Sequence, residues 1–218
     1  LLRISLFKAL SYNGVRLIME YIPPMAMLAG ISAGFIYKKI KSRSLKLNVL
    51  LIIIAGFVPT IYKLINIHPN ENVYFNFFIG GLKGAKEKNL NSWGNSNGNA
   101  YYPALLWLNQ HAEKNAKLTI PVNSISNIPR FKLRPDISLS ANYWSGPDHR
   151  GEYVLELTYD YQPMQWYSLK YLNTVMKPLY EVRVDEVTIA KLWKNSPEFV
   201  LPEYKNEKEI SANIISNK

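Results

Sequence analysis

The sequence predicts a membrane-embedded α-helical segment followed by a small α/β domain with a mixed sheet, and three observations predict it. Residues 17–37 and 47–67 are apolar stretches of roughly 20 residues, about the length needed to cross ~30 Å of hydrocarbon. The loop between them, 38–46, carries Lys38, Lys39, Lys41, Arg43 and Lys46 and no acid, which marks a cytoplasmic turn. Beyond residue 67, stretches with helix period alternate with stretches of strand period. The expected arrangement is a multi-pass membrane part (1–67), a linker (68–99), an extracytoplasmic α/β domain (100–195) and a polar tail (196–218).

From the N-terminus, residues 1–10 are too short and too basic for a span or a signal peptide, so the chain reads as starting inside a larger membrane protein, at the end of an earlier helix. In the first span Pro23 and Pro24 should kink or restart the helix. Ala26, Gly30 and Gly34, with Ala29 and Ala33, recur every four residues and would let another helix approach, in a bundle or a dimer seam. The second span is richer in Leu and Ile, is bent by Pro59, and holds Lys63 where it can snorkel to the outer interface. The run 73–78 (VYFNFF) should lie in the interface or against the membrane part, and Gly80, Gly81 and Gly84 loosen the chain beyond it.

In the domain, 101–115 has Leu105, Leu108 and Ala112 on one face and reads as an amphipathic helix with Pro103 in its first turn. Residues 117–122 and 136–143 read as strands around a short helix at 127–133. Ser145-Gly146-Pro147-Asp148 is a turn, and the alternation of 152–158 (EYVLELT) predicts a strand. Residues 168–180 predict a helix, 181–184 and 188–194 a closing hairpin, and the Asn/Glu/Lys-rich stretch from Ser196 a fraying tail.

Charge and composition narrow the function classes. The chain carries +10, but residues 1–67 contribute +8 of it and 68–218 only +2. Excess charge beside a bilayer suits anionic headgroups, whereas a nucleic-acid binder would concentrate it on the folded domain. There is no cysteine, hence no disulfide or thiolate chemistry, and His68, His111 and His149 lie at no metal-ligand spacing. Neither a metal nor another cofactor is expected. The loop 142–150 (NYWSGPDHR) gathers Tyr143, Trp144, His149 and Arg150 around a Gly-Pro turn, the mix of rings and polar groups that a sugar or peptide acceptor would want; a surface turn packed on its own aromatics gives the same pattern. Tyr159, Asp160, Tyr161 and Trp166 form a similar cluster.

Three stretches together resemble the C-terminal end of GT-C membrane glycosyltransferases, the group of dolichyl-phosphate-mannose protein mannosyltransferases and lipid A aminoarabinose transferases. They are 14–35 (GVRLIMEYIPPMAMLAGISAGF), 91–116 (NSWGNSNGNAYYPALLWLNQHAEKNA) and 180–194 (YEVRVDEVTIAKLWK). The third departs from the family, whose hairpins often turn on Gly where this chain has Glu186. The resemblance implies transfer of a sugar from a polyprenyl-phosphate carrier to a protein, lipid or glycan acceptor at the outer membrane face. It implies that Arg16 binds the lipid phosphate, a role for which a forked guanidinium at a helix's outer end is suited. An interfacial Arg snorkelling to lipid, paired with Glu20, is the plain alternative. The family's catalytic Asp lies in an early outer loop, upstream of these residues, so the chain alone is expected to be inactive. The other reading from sequence is a non-enzymatic, membrane-anchored binding domain.

Overall fold

The computed structural model describes residues 21–90, 93–122, 125–158 and 167–205, and the chain divides into two compact units, Leu1–Pro59 and Thr60–Lys218. In the first, helix α1 (Ile22–Lys39) begins with Pro23 and Pro24 in its first turn, where a missing N–H costs nothing. The prolines therefore start this helix and do not kink it. Lys38 and Lys39 complete its last turn, where cations meet the negative end of the helix dipole. Helix α2 (Arg43–Ile67) begins almost at once, so the basic loop expected over 38–46 shrinks to residues 40–42.

Among the described residues, α2 is the one helix long and apolar enough to cross a bilayer, with a mean hydropathy of 2.0 over its best window and almost none of that window buried. Its 25 residues extend ~37 Å. The 18-residue α1, with prolines at one end and lysines at the other, falls short of that measure. Among the described residues, nothing lies within 4 Å of where a Cβ at Gly30 or Gly34 would stand.

The second unit is built on a five-stranded mixed sheet of order β2-β1-β3-β5-β4. Strands β1 (Lys117–Ile120), β2 (Ser138–Ala141) and β3 (Tyr153–Leu157) run parallel; β5 (Val187–Lys194) runs antiparallel to β3, and β4 (Tyr180–Val184) antiparallel to β5. Register is set by pairs such as Leu118↔Tyr153 and Val154↔Trp193, and a bulge interrupts β4 between Val182 and Arg183. Among the described residues, besides α3 (Gly81–Glu87), α4 (Tyr101–His111) and α5 (Tyr167–Val175) pack one on each face of the sheet. Leu105 and Leu108 of α4 share a core with Leu118, Leu155 and Leu192; Tyr171, Leu172 and Val175 of α5 share another with Val154 and Trp193.

With both faces covered, every residue of β3 is buried. The alternation read in this strand therefore does not separate core from solvent. Glu156 is fully buried and accepts a hydrogen bond from the Val122 N–H at 2.6 Å. The C-terminus of α4 is closed by Arg134, which donates to the carbonyls of Asn109, Ala112 and Glu113 at 2.8, 3.1 and 2.6 Å. The Asn109 carbonyl belongs to the last turn, which a helix end leaves unpaired, and the Ala112 and Glu113 carbonyls follow at and just past the C-cap. Its guanidinium also forks onto Asp136, and that hydrogen bond, reinforced by the Asn115 N–H, lowers the Asp136 carboxyl to about 2.

Three expectations are corrected. The segment 68–99 is not a linker: Val73, Leu82, Ala85 and Trp93 are buried in the main core. Lys63 does not snorkel; it pairs with Asp185 at the β4–β5 turn, and Asp185 also accepts from the Leu82 N–H at 3.4 Å. The expected tail is structured as far as residue 205, because Val200 bridges Met176 and Lys177 N–H donates to the Phe199 carbonyl at 2.8 Å. The β4–β5 connection is a two-residue turn in which Asp185 (φ 50°) and Glu186 (φ 65°) are both left-handed, as a type I′ hairpin requires.

Candidate functional site

Beyond β2, Asn142 adopts a left-handed φ of 52° and sends the chain back across the sheet. Tyr143 is held there: its carbonyl accepts from the Thr119 hydroxyl, and its ring lies under the Lys117 ammonium, 3.3 Å from Nζ to the ring centroid. Trp144 turns to the α5 side and packs against Tyr167 and Tyr171, with centroids 5.6 and 5.3 Å away. Its indole N–H is buried with no hydrogen-bond partner among the described residues. Gly146, Pro147 and Asp148 form one 3-10 turn, and His149 comes next in a left-handed conformation (φ 47°) that sinks its imidazole into the protein.

That imidazole joins a buried polar network. His149 Nδ1 lies 2.9 Å from Asn195 Oδ1, and Nε2 lies 3.2 Å from the Tyr171 hydroxyl. The Asn195 amide nitrogen donates to Ser145 Oγ (2.9 Å), the Gly146 carbonyl (3.0 Å) and Glu152 Oε1 (3.0 Å). Ser145 gives Glu152 two more bonds, from its N–H at 2.7 Å and its hydroxyl at 2.9 Å. Because the amide nitrogen faces acceptors, Asn195 Oδ1 must accept, so Nδ1 of His149 donates to it and Nε2 faces the Tyr171 hydroxyl. Burial pushes the Glu152 carboxyl up; the Asn195 amide and the Ser145 N–H and hydroxyl outweigh burial, leaving it below the ordinary carboxylate value.

The network opens onto a pocket of about 390 Å³ lined by His149, Tyr171, Pro197, Glu198, Val200, Tyr204 and Lys205. The Tyr204 phenol, the Glu198 carboxylate and the Lys205 ammonium line it, and the buried His149 and Tyr171 form its back wall. This is a mostly apolar concavity with a few directed polar groups, suited to a polar ligand with apolar faces. The pocket lies where β3 begins and β5 ends, since Glu152 and Asn195 pair through their backbones there. The Asp185 turn and Lys63 lie at the other end of β5, ~25 Å away along eight extended residues.

Of the residues singled out from sequence, His149 enters the pocket and Trp144 supports Tyr171 behind it. Tyr143 is committed to Thr119 and Lys117, and Arg150 is exposed and paired with Asp148 at 3.0 Å. Arg16, Glu20, and the cluster Tyr159, Asp160, Tyr161 and Trp166 lie outside the described residues. Sequence reasoning missed Ser145, Glu152, Tyr171, Asn195, Glu198 and Tyr204. The one local signal was Ser145 and Glu152 flanking the Gly-Pro turn. Among the described residues no group of three or more His, Asp or Glu side chains is placed to hold a metal ion. No family model matches the chain, and no curated protein or solved structure is significantly similar to it.

Proposed function

We propose that this chain is the C-terminal part of a multi-pass membrane glycosyltransferase that moves a sugar from a polyprenyl-phosphate carrier to an acceptor at the outer face. The α/β domain, extracytoplasmic in this reading, holds the acceptor in the His149 pocket. The observation that carries the reading is that pocket, where the half-buried Tyr204 ring stands beside Glu198, Lys205 and the buried His149 and Tyr171 behind them. Rings stack on the apolar faces of sugars or peptides while the polar groups fix orientation. The apolar α2 leading directly into the domain, and the basic residues clustered at one end of it, support a span with the domain away from the cytosol, the apolar stretch 17–37 being the second span in this reading. The carrier's leaving phosphate needs a cation at the bilayer surface, and Arg16 is the residue assigned to it.

One observation favours a second reading. The pocket stands ~25 Å along the sheet from Lys63, a long way for a sugar tethered to a lipid at the end of α2. A membrane-anchored domain that binds an envelope polymer or peptide without chemistry fits that distance. The test is transfer from a labelled polyprenyl-phosphate sugar in membranes bearing the intact protein. Arg16→Ala should lower carrier use, and Tyr204→Ala should raise the KM for acceptor. Saturable acceptor binding with no transfer, weakened by Tyr204→Ala, would establish the binding domain instead.

A further inference from the structure

Phe77 and Phe78 are 82 and 88 % exposed, side by side on a 3-10 turn, with ring centroids 5.1 Å apart. Two adjacent bare phenylalanines are costly in water unless something covers them. The backbone holding them is firmly built. Asn76 caps the turn by accepting from the Ile79 N–H at 3.2 Å, and α3 packs so closely behind it that a Cβ at Gly84 would lie 2.0 Å from the Ile79 carbonyl oxygen. The rings are therefore presented outward by a rigid support.

Their position points to what covers them. Asp185 binds Lys63 of α2 and also the N–H of Leu82, only four residues beyond Phe78. Four residues span at most ~14 Å, so the phenylalanines sit close to the end of the one described helix able to cross a bilayer. Lys83, Lys86 and Lys88 come next in sequence, on α3 and at its C-cap; Lys88 donates to the Ile79 carbonyl at 3.4 Å, next to the pair, while Lys83 pairs with Glu186 and Lys86 lies over the Trp93 ring. Aromatic rings next to lysines at the end of an apolar helix match the headgroup level of an anionic membrane, where rings partition and cations meet phosphate.

From this juxtaposition we infer that Phe77 and Phe78 insert into the phospholipid interface and pin the near end of the α/β domain to the membrane surface. The inference rests on α2 spanning the bilayer, and the test separates the two. The chain lacks cysteine, so single labels can be placed in the full-length protein by Ile54→Cys, Phe78→Cys and Lys114→Cys. Lys114 is an exposed residue just before β1, at the sheet end far from Asp185. A nitroxide on each is read in nanodiscs of zwitterionic lipid with one quarter anionic lipid, comparing relaxation by oxygen, which enters the bilayer, with relaxation by a water-soluble nickel chelate. The expected result is an oxygen-to-nickel ratio at Ile54 and Phe78 several-fold above that at Lys114. A protected Ile54 label with Phe78 as nickel-accessible as Lys114 overturns the anchor and leaves the span standing. An Ile54 label open to nickel overturns both. Protection of the Phe78 label that vanishes when each nanodisc holds a single chain assigns the patch to a second copy and also overturns the lipid anchor.

Discussion

Asn195 joins more of the pocket floor than any other described side chain, and its removal has a calculable cost. Replacing it by Ala keeps its backbone pairing with Glu152 and Gly151 but deletes the side-chain bonds to His149, Ser145, Gly146 and Glu152. The His149 ring, 9 % exposed, is left with one unpaired nitrogen whichever tautomer it takes, a loss of about 1–3 kcal/mol. Glu152, 3 % exposed, loses a bond to its charge, worth about 1.5–3 kcal/mol. Asn195→Ala should therefore destabilise the domain by about 3–5 kcal/mol, read from guanidinium unfolding of the full chain in micelles by tryptophan fluorescence. A loss below about 1 kcal/mol would refute the closed network, because a solvated site refills with water. Asn195→Asp supplies an independent sign. It sets a second carboxylate about 3 Å from Glu152, so one of the two must hold a proton, its folded pKa raised. Such a group is tolerated below its unfolded pKa, and stability is lost as pH rises through the folded value. The variant should thus lose stability between acid and neutral pH. The native network moves the other way: with the Glu152 pKa lowered, its contribution is complete above the ordinary carboxylate value of 4.5 and fades as pH falls through the folded value.

Three further outcomes rest on the same geometry. The Asp136 carboxyl should titrate at about 2 by NMR, its stabilisation present above 3.8 and lost as pH falls toward that midpoint; Arg134→Ala should return it toward 3.8 and fray the end of α4. Glu186→Gly should raise stability by about 0.5–1 kcal/mol in the same unfolding assay, because it relieves a left-handed φ of 65° and gives up only an exposed contact with Lys83 at 3.4 Å. Leu155→Ala, at a fully buried position in the central strand, should cost about 2–5 kcal/mol, and a smaller loss would mean the two helical layers close over the gap.

The order helix, strand, strand, strand, helix, hairpin was legible because each of these segments carries its own period. The hairpin was legible but not its register: the second strand was expected from residue 188, whereas it begins at Val187, paired with Val184 across a two-residue turn. The segment 68–99 was not legible: Val73, Leu82, Ala85 and Trp93 are spaced with no period, since short turns and a seven-residue helix deliver them to the core one at a time. The burial of Glu156 was not legible either, because a strand covered on both faces has no solvent side for its acid. His149 could be singled out from its Gly-Pro turn. Its partners Tyr171 and Asn195 are 22 and 46 residues away and meet it only through the crossing of α5 and β5, which no local pattern encodes.

The order of the strands leaves β2 and β4 at the rims of the sheet, and each is blunted. β2 offers only four residues. β4 is broken by its bulge and carries Glu181 and Arg183, paired with each other at 2.5 Å. An open rim would recruit neighbours into continuous ribbons. A truncated rim on one side and a buckled, charged one on the other disfavour that edge-to-edge fusion between copies.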